Sequence, residues 1–127
     1  MCYIVPAVTM KLLILSDAPA PILQSGFSRV ATNLIRRWTA GGWCDVTVWG
    51  IGASAPDLLL AMEAGTLPCR VRPAGYPWYR RENLQAFLEE LAGGGYTHVW
   101  ILQDHFLLAC HGFPEAFRET CTNRGIR

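Results

Sequence analysis

The sequence predicts an α/β fold, a Rossmann-like parallel sheet with flanking helices that stops before its fifth strand. Three observations predict it. Short, continuous apolar runs at Leu12–Leu15, Val46–Trp49 and Thr97–Leu102 have the character of strands covered on both faces. Amphipathic helical patterns closed by glycines lie between them. The resulting string, β-α-β-(α)-β-α-β-α, calls for parallel strands joined by right-handed crossovers. With 127 residues, 51% of them hydrophobic and only 17% charged, the chain is one domain with room for a core and too apolar for disorder.

The elements follow in order. Met1 to Leu15 is apolar, but it lacks a basic n-region and Lys11 interrupts it. It is also too short to cross a bilayer. Residues 1–9 are therefore an N-terminal extension, with Met10 an alternative start, and 10–127 form the partial domain. Ser16 to Ser25 holds Pro19 and Pro21 and no helical period, so it is a loop. A helix opens near Gly26, with Ser25 as N-cap and Gly41-Gly42 as its stop. Its apolar stripe is Phe27, Val30, Ala31, Leu34 and Trp38. That assignment sends Ser28, Arg29, Thr32, Asn33, Arg36 and Arg37 to the polar faces.

Asp45 leads into the second strand, which Gly50 and Gly52 end. Ser54 to Gly65 holds a short helix, capped by Ser54 or Ala55, with Leu58, Leu59 and Met62 as its inner face. Cys69–Arg72 is a short third strand. The loop 73–81 then carries Tyr76, Trp78 and Tyr79; these rings either cover the sheet or offer a platform for a sugar face. Arg80 and Arg81 begin the next helix, Glu82 to Ala92, which buries Leu84, Phe87, Leu88 and Leu91 and ends at Gly93-Gly94-Gly95. After the fourth strand, Phe106–Cys110 and Pro114–Thr122 are short helices around Gly112. The tail from Asn123 to Arg127 reads as a helix stop and the first residues of a fifth strand.

Several chemistries are excluded. A net charge of +1 gives no reason to expect nucleic acid or an anionic membrane as partner. Five cysteines without a C-x-x-C pair predict reduced thiols and a cytoplasmic location. His105, Cys110 and His111 lack ligand spacing, so no metal is expected, and His98 is a half-buried strand residue. The first loop has neither G-x-G-x-x-G nor a Walker A sequence, which removes a dinucleotide or P-loop site. Gly26 serves either tight strand-to-helix packing or the close approach of a diphosphate to the helix N-terminus, beside Ser25, Ser28 and Arg29. Asp104 suits two roles that can coexist, N-cap of the following helix and ligand contact at a strand end.

The order KLLILSD, loop, SGFSRVATNLIRRW, glycine pair, DVTVWGIG resembles the start of a GT-B glycosyltransferase. More narrowly it is similar to the retaining nucleotide-sugar enzymes of the glycosyl transferases group 1, or glycogen-synthase-like, superfamily. Gly26-Phe27-Ser28-Arg29-Val30 carries the likeness, and HVWILQDHFLL (98–108) resembles the family's fourth strand and the turn after it. The resemblance implies that Ser25, Gly26, Phe27 and Arg29 line the donor diphosphate. It places Asp17, Gln103, Asp104 and His105 on the acceptor side of the cleft. Ser25-Gly26 stands here in place of the family's Gly-Gly.

The implied activity is transfer of a sugar from a nucleotide-sugar co-substrate to a hydroxyl acceptor, with no other cofactor. The family's catalytic-region histidine follows its fifth strand, so no catalytic residue is assigned. Its donor-binding residues belong to a C-terminal domain, so this acceptor-side piece of a hexosyltransferase is expected to be inactive alone. The alternative is a non-catalytic α/β module that binds a nucleotide or a partner. Against it, the first strand ends in a lone Asp17 with no receiver-type acidic pocket.

Overall fold

Four parallel strands, in the order β3-β2-β1-β4, make the sheet in a computed structural model that describes residues 10–103 and 109–127. The strands are β1 (Met10–Asp17), β2 (Cys44–Ile51), β3 (Arg70–Pro73) and β4 (His98–Ile101). The helices are α1 (Gly26–Ala40), α2 (Ala55–Ala64), α3 (Arg81–Gly93) and α4 (Phe113–Arg124). The α/β Rossmann-like arrangement expected from the sequence is therefore present.

Alternation along the strands divides the core. Leu12, Ile14, Val46 and Val48 pack with Ala31 and Ile35 of α1, and Leu58 before the α2 midpoint joins them. Leu13, Leu15 and Trp49 face the other way, onto Leu84, Phe87 and Leu91 of α3 and Phe113 of α4. Phe87 is the largest side chain fully removed from solvent. The chain steps outward from β1 to β3, with α1 and α2 on one face, then returns across β1 to β4 with α3 on the opposite face. Right-handed crossovers require that change of face when the direction reverses. The reversal falls between β1 and β4.

Most elements lie where the sequence puts them, with β1 and β2 longer than expected and β4 shortened from Thr97–Leu102 to His98–Ile101. β1 begins at Met10 and runs through Ser16 and Asp17, where the sequence predicts a loop. β2 continues through Gly50 to Ile51, and β3 starts one residue later than expected, leaving Cys69 outside. Ser25 and Ser54 are the N-caps, and Gly65 ends α2 in a left-handed conformation. Residues 109–112 form turns; Phe106–Leu108 of the short helix expected there, like the extension 1–9, lies outside the described residues.

Two helical faces need correction. On α1 the buried residues are Ser28, Ala31, Thr32 and Ile35, whereas Phe27 and Val30 are 37% and 48% exposed. The apolar stripe is displaced because two hydroxyls on the inner face do structural work. Ser28 Oγ donates to Leu23 O at 2.6 Å. Thr32 Oγ1 donates to Ser28 O at 2.7 Å and accepts from the Ala20 amide at 3.0 Å. On α2, Leu58 and Ala61 turn inward while Leu59, Leu60 and Met62 are exposed. Every residue of that stretch except Asp57 and Glu63 is apolar, so its sequence has no periodicity to read.

The corrected face of α1 is testable by thermal or urea unfolding. Thr32→Val keeps the shape but strands the Ala20 amide, and should cost about 1–3 kcal/mol. Val30→Ala, on the exposed side, should change stability by less than about 0.5 kcal/mol. Equal costs at the two positions would restore the sequence-based stripe.

Candidate functional site

The crevice at the carboxyl ends of β1 and β4 is the place where an open parallel sheet can admit a ligand, because the flanking connections depart in opposite directions there. Three separate elements converge on it. Asp17 is the last residue of β1, Ser25 caps α1, and Gln103 follows β4. Asp17 Oδ2 accepts from Ser25 Oγ at 2.5 Å, and Asp17 Oδ1 accepts from Gln103 Nε2 at 2.9 Å. Ser25 Oγ in turn accepts from the Ser28 amide at 3.1 Å, closing the first turn of α1. One carboxylate thus ties the ends of β1 and β4 to the helix cap.

The loop between β1 and α1 is held down from several sides. Ala18 N donates to Ile51 O at 2.9 Å, while Thr32 and Ser28 hold Ala20 N and Leu23 O. Ala20–Pro21 is a cis peptide. Beneath the loop, Gly50 of β2 and Gly52 just after it make room for it. A Cβ on Gly50 would stand 3.2 Å from Ala18 Cβ, and one on Gly52, at φ +82°, would meet Leu23 Cδ1 at 2.5 Å. In the sequence these glycines mark only where a strand stops. Their close approach depends on a fold that brings residue 18 over residue 50, so nothing local signals it.

Gly26 has a different character. A Cβ there would meet nothing within 4 Å, so the tight-packing reading does not account for it. It is exposed at the start of α1, next to exposed Phe27 and Arg29. Of the sequence-predicted site residues, Asp17, Ser25 and Gln103 are joined directly. Gly26, Phe27 and Arg29 lie alongside on the first turn of α1, and Asp104 and His105 lie outside the described residues.

Electrostatics constrain what can enter. The α1 N-terminus already has the Asp17 carboxylate hydrogen-bonded to its cap. A second unit negative charge brought to about 5 Å of Asp17 would be opposed by about 3 kcal/mol at an effective dielectric near 20. Each carboxylate oxygen retains a lone pair beyond the bond it makes, so a neutral hydroxyl can be held there. The position next to Asp17 therefore favours an uncharged donor over a diphosphate.

Other candidates separate from this crevice. Trp78 is buried in the α3-side core and stands edge-on to Tyr79 at 5.7 Å, so it covers the sheet. Tyr76 is 93% exposed at the end of β3, two strands from Asp17. His98 is half-buried, with Nδ1 2.8 Å from Thr97 Oγ1. Among the described residues no group of His, Cys, Asp or Glu could hold a metal ion. Burial pushes the Cys69 thiol up to about 12, and burial also raises Cys44 and Cys121, so none offers a thiolate near neutrality. No helix among the described residues is long and apolar enough to cross a membrane. No family model, curated protein or solved structure matches the chain.

Two outcomes follow. Gly26→Ala should fold normally and gain up to about 0.5 kcal/mol, since Ala is the better helix former and has space. Loss of stability on that substitution would show that position 26 is a packing glycine. For Cys69, the folded state favours the protonated thiol, so its contribution is present below the unfolded pKa and lost as pH rises toward the folded value of about 12. Unfolding midpoints measured from pH 8 to 11 should fall, and Cys69→Ala should flatten that fall.

Proposed function

We propose that the Asp17 crevice is the acceptor-side wall of a glycosyl-transfer site, in which a sugar passes from a nucleotide-sugar donor to a hydroxyl acceptor. The observation that carries this reading is the joining of Asp17, Ser25 and Gln103 at the reversal between β1 and β4. Asp17 is positioned to accept a hydrogen bond from the acceptor hydroxyl and orient its oxygen. In the transfer that oxygen bonds to the anomeric carbon as the carbon–diphosphate bond breaks, and the hydroxyl proton is released.

The open space over Gly26, near Arg29 in the chain, gives a diphosphate its approach to the backbone. On this reading the nucleotide is gripped by a second domain, as in the family that the Gly26–Val30 stretch resembles. The developing charge on the leaving diphosphate requires donors from both walls.

Titration of the isotope-labelled chain with uncharged methyl hexopyranosides tests the acceptor wall. Shifts should concentrate at Asp17, Ser25 and Gln103, and Asp17→Asn should weaken binding by about tenfold or more. UDP-glucose and ADP-glucose should bind this chain no tighter than about 1 mM. Tight, stoichiometric nucleotide-sugar binding to the chain alone would overturn the division of labour between walls. Saccharide binding indifferent to Asp17 would overturn the site.

A further inference from the structure

A second polar region lies at the opposite end of the sheet from the Asp17 crevice. Lys11, near the start of β1, turns to the same face as Leu13 and Leu15, which α3 covers. Arg72 of β3 stands beside Trp49 on that face, and Arg70 is one pleat before it. Glu90 and Gly94, at the carboxyl end of α3, and Tyr96 just beyond it close the space from above. Together these residues border a cavity of about 340 Å³.

Neighbours hold each cation in place. Lys11 Nζ donates to Gly94 O at 2.6 Å and lies 5.2 Å from the centroid of the Tyr96 ring. Arg70 Nε donates to Thr47 Oγ1 at 3.2 Å, and its Nη2 donates to Asp45 Oδ2 at 3.3 Å. Arg72 Nη1 donates to Glu90 Oε2 at 2.9 Å, while Glu90 Oε1 accepts from Tyr96 OH at 3.0 Å. An ammonium and two guanidiniums carry more N–H groups than these bonds engage, so donors remain on all three. Among the described residues Glu90 is the carboxylate that borders the cavity; Asp45, the partner of Arg70, stands outside it. Three cations against one carboxylate leave an excess of two positive charges around the space. The carboxyl end of α3 offsets part of that excess, and Lys11 caps it directly, which leaves the two guanidiniums to face a ligand.

We infer that this cavity binds a phosphoryl dianion, as inorganic phosphate or as the end group of a phosphomonoester. A guanidinium fork pairs with two phosphate oxygens at once, and Arg70 and Arg72 share one strand face within reach of one such group. Their contacts to Thr47, Asp45 and Glu90 pre-order them, which lowers the cost of fixing long side chains on binding. Both ion pairs are exposed and contribute little by themselves, so sharing an arginine with the ligand costs little. No residue is shared with the Asp17 crevice, and the two sites stand or fall separately.

The test is titration of the isotope-labelled chain with sodium phosphate and with glycerol 3-phosphate at about pH 7.5, where the phosphoryl group is mostly a dianion. Ionic strength is held constant with sodium chloride. The Val71 and Gly94 amides and the Nε–H groups of Arg70 and Arg72 should shift saturably, while Asp17 and Ser25 stay in place. Arg70 and Arg72 are exposed, so their replacement leaves the core intact. Arg70→Gln and Arg72→Gln should each weaken binding by about tenfold. Arg36→Gln, which removes the same charge from the exposed face of α1, should leave it unchanged. Shifts that grow linearly with phosphate, or that sodium chloride alone reproduces, overturn the inference, as does equal weakening by Arg36→Gln. Tighter binding of glycerol 3-phosphate supports it and identifies the ligand as an ester; tighter binding of phosphate supports it and identifies the free ion.

Discussion

Everything at the binding edge depends on how the loop between β1 and α1 is tied to the helix that follows it. A loop laid over a parallel sheet has backbone groups that lose water, and each needs a partner. Here the partners come from hydroxyls on the inner face of α1. Thr32 takes the Ala20 amide, Ser28 takes Leu23 O, and Ser25 links the cap to Asp17. These bonds set the path of residues 18–25, and that path sets where the α1 N-terminus points. Gly50 of β2 and Gly52 just after it complete the arrangement, because a Cβ at Gly50 would crowd Ala18 and one at Gly52 would press on Leu23.

That tie also decides the charge of the crevice. A helix N-terminus without a carboxylate would be a ready anion site. The bond between Asp17 and Ser25 puts a negative group at the cap, and Gln103 holds the other carboxylate oxygen from across the reversal. The position beside Asp17 thereby becomes hospitable to hydroxyls. A Cβ at Gly26, on the first turn of the same helix, would meet nothing within 4 Å, so that position is open.

The sequence made the order of elements legible because strands buried on both faces show as apolar runs, and glycines mark where helices end. It also marked Ser25 as the N-cap of α1, since a helix start is a position rather than a pattern, whereas Asp17 and Gln103 were implied only by the family resemblance. What it hid was the facing of α1. Phe27 and Val30 look like core by spacing, while Ser28 and Thr32 look like surface, and burial reverses them. The reversal comes from backbone groups at Ala20 and Leu23, which no periodicity in residues 26–40 can report. Gly50 and Gly52 were hidden for a related reason, as their neighbours lie about thirty residues away in the chain.

The sheet is unevenly supported, and the crevice sits on the boundary. β1 is buried on both faces and paired along its whole length with β2, whereas β4 pairs over four residues and remains half-exposed. Local opening takes place where apolar contacts are few, so β4, like β3 at the opposite edge, can shift more easily than β1. Gln103 lies two residues beyond the end of β4, and its bond to Asp17 spans the gap between the firm strand and the looser one.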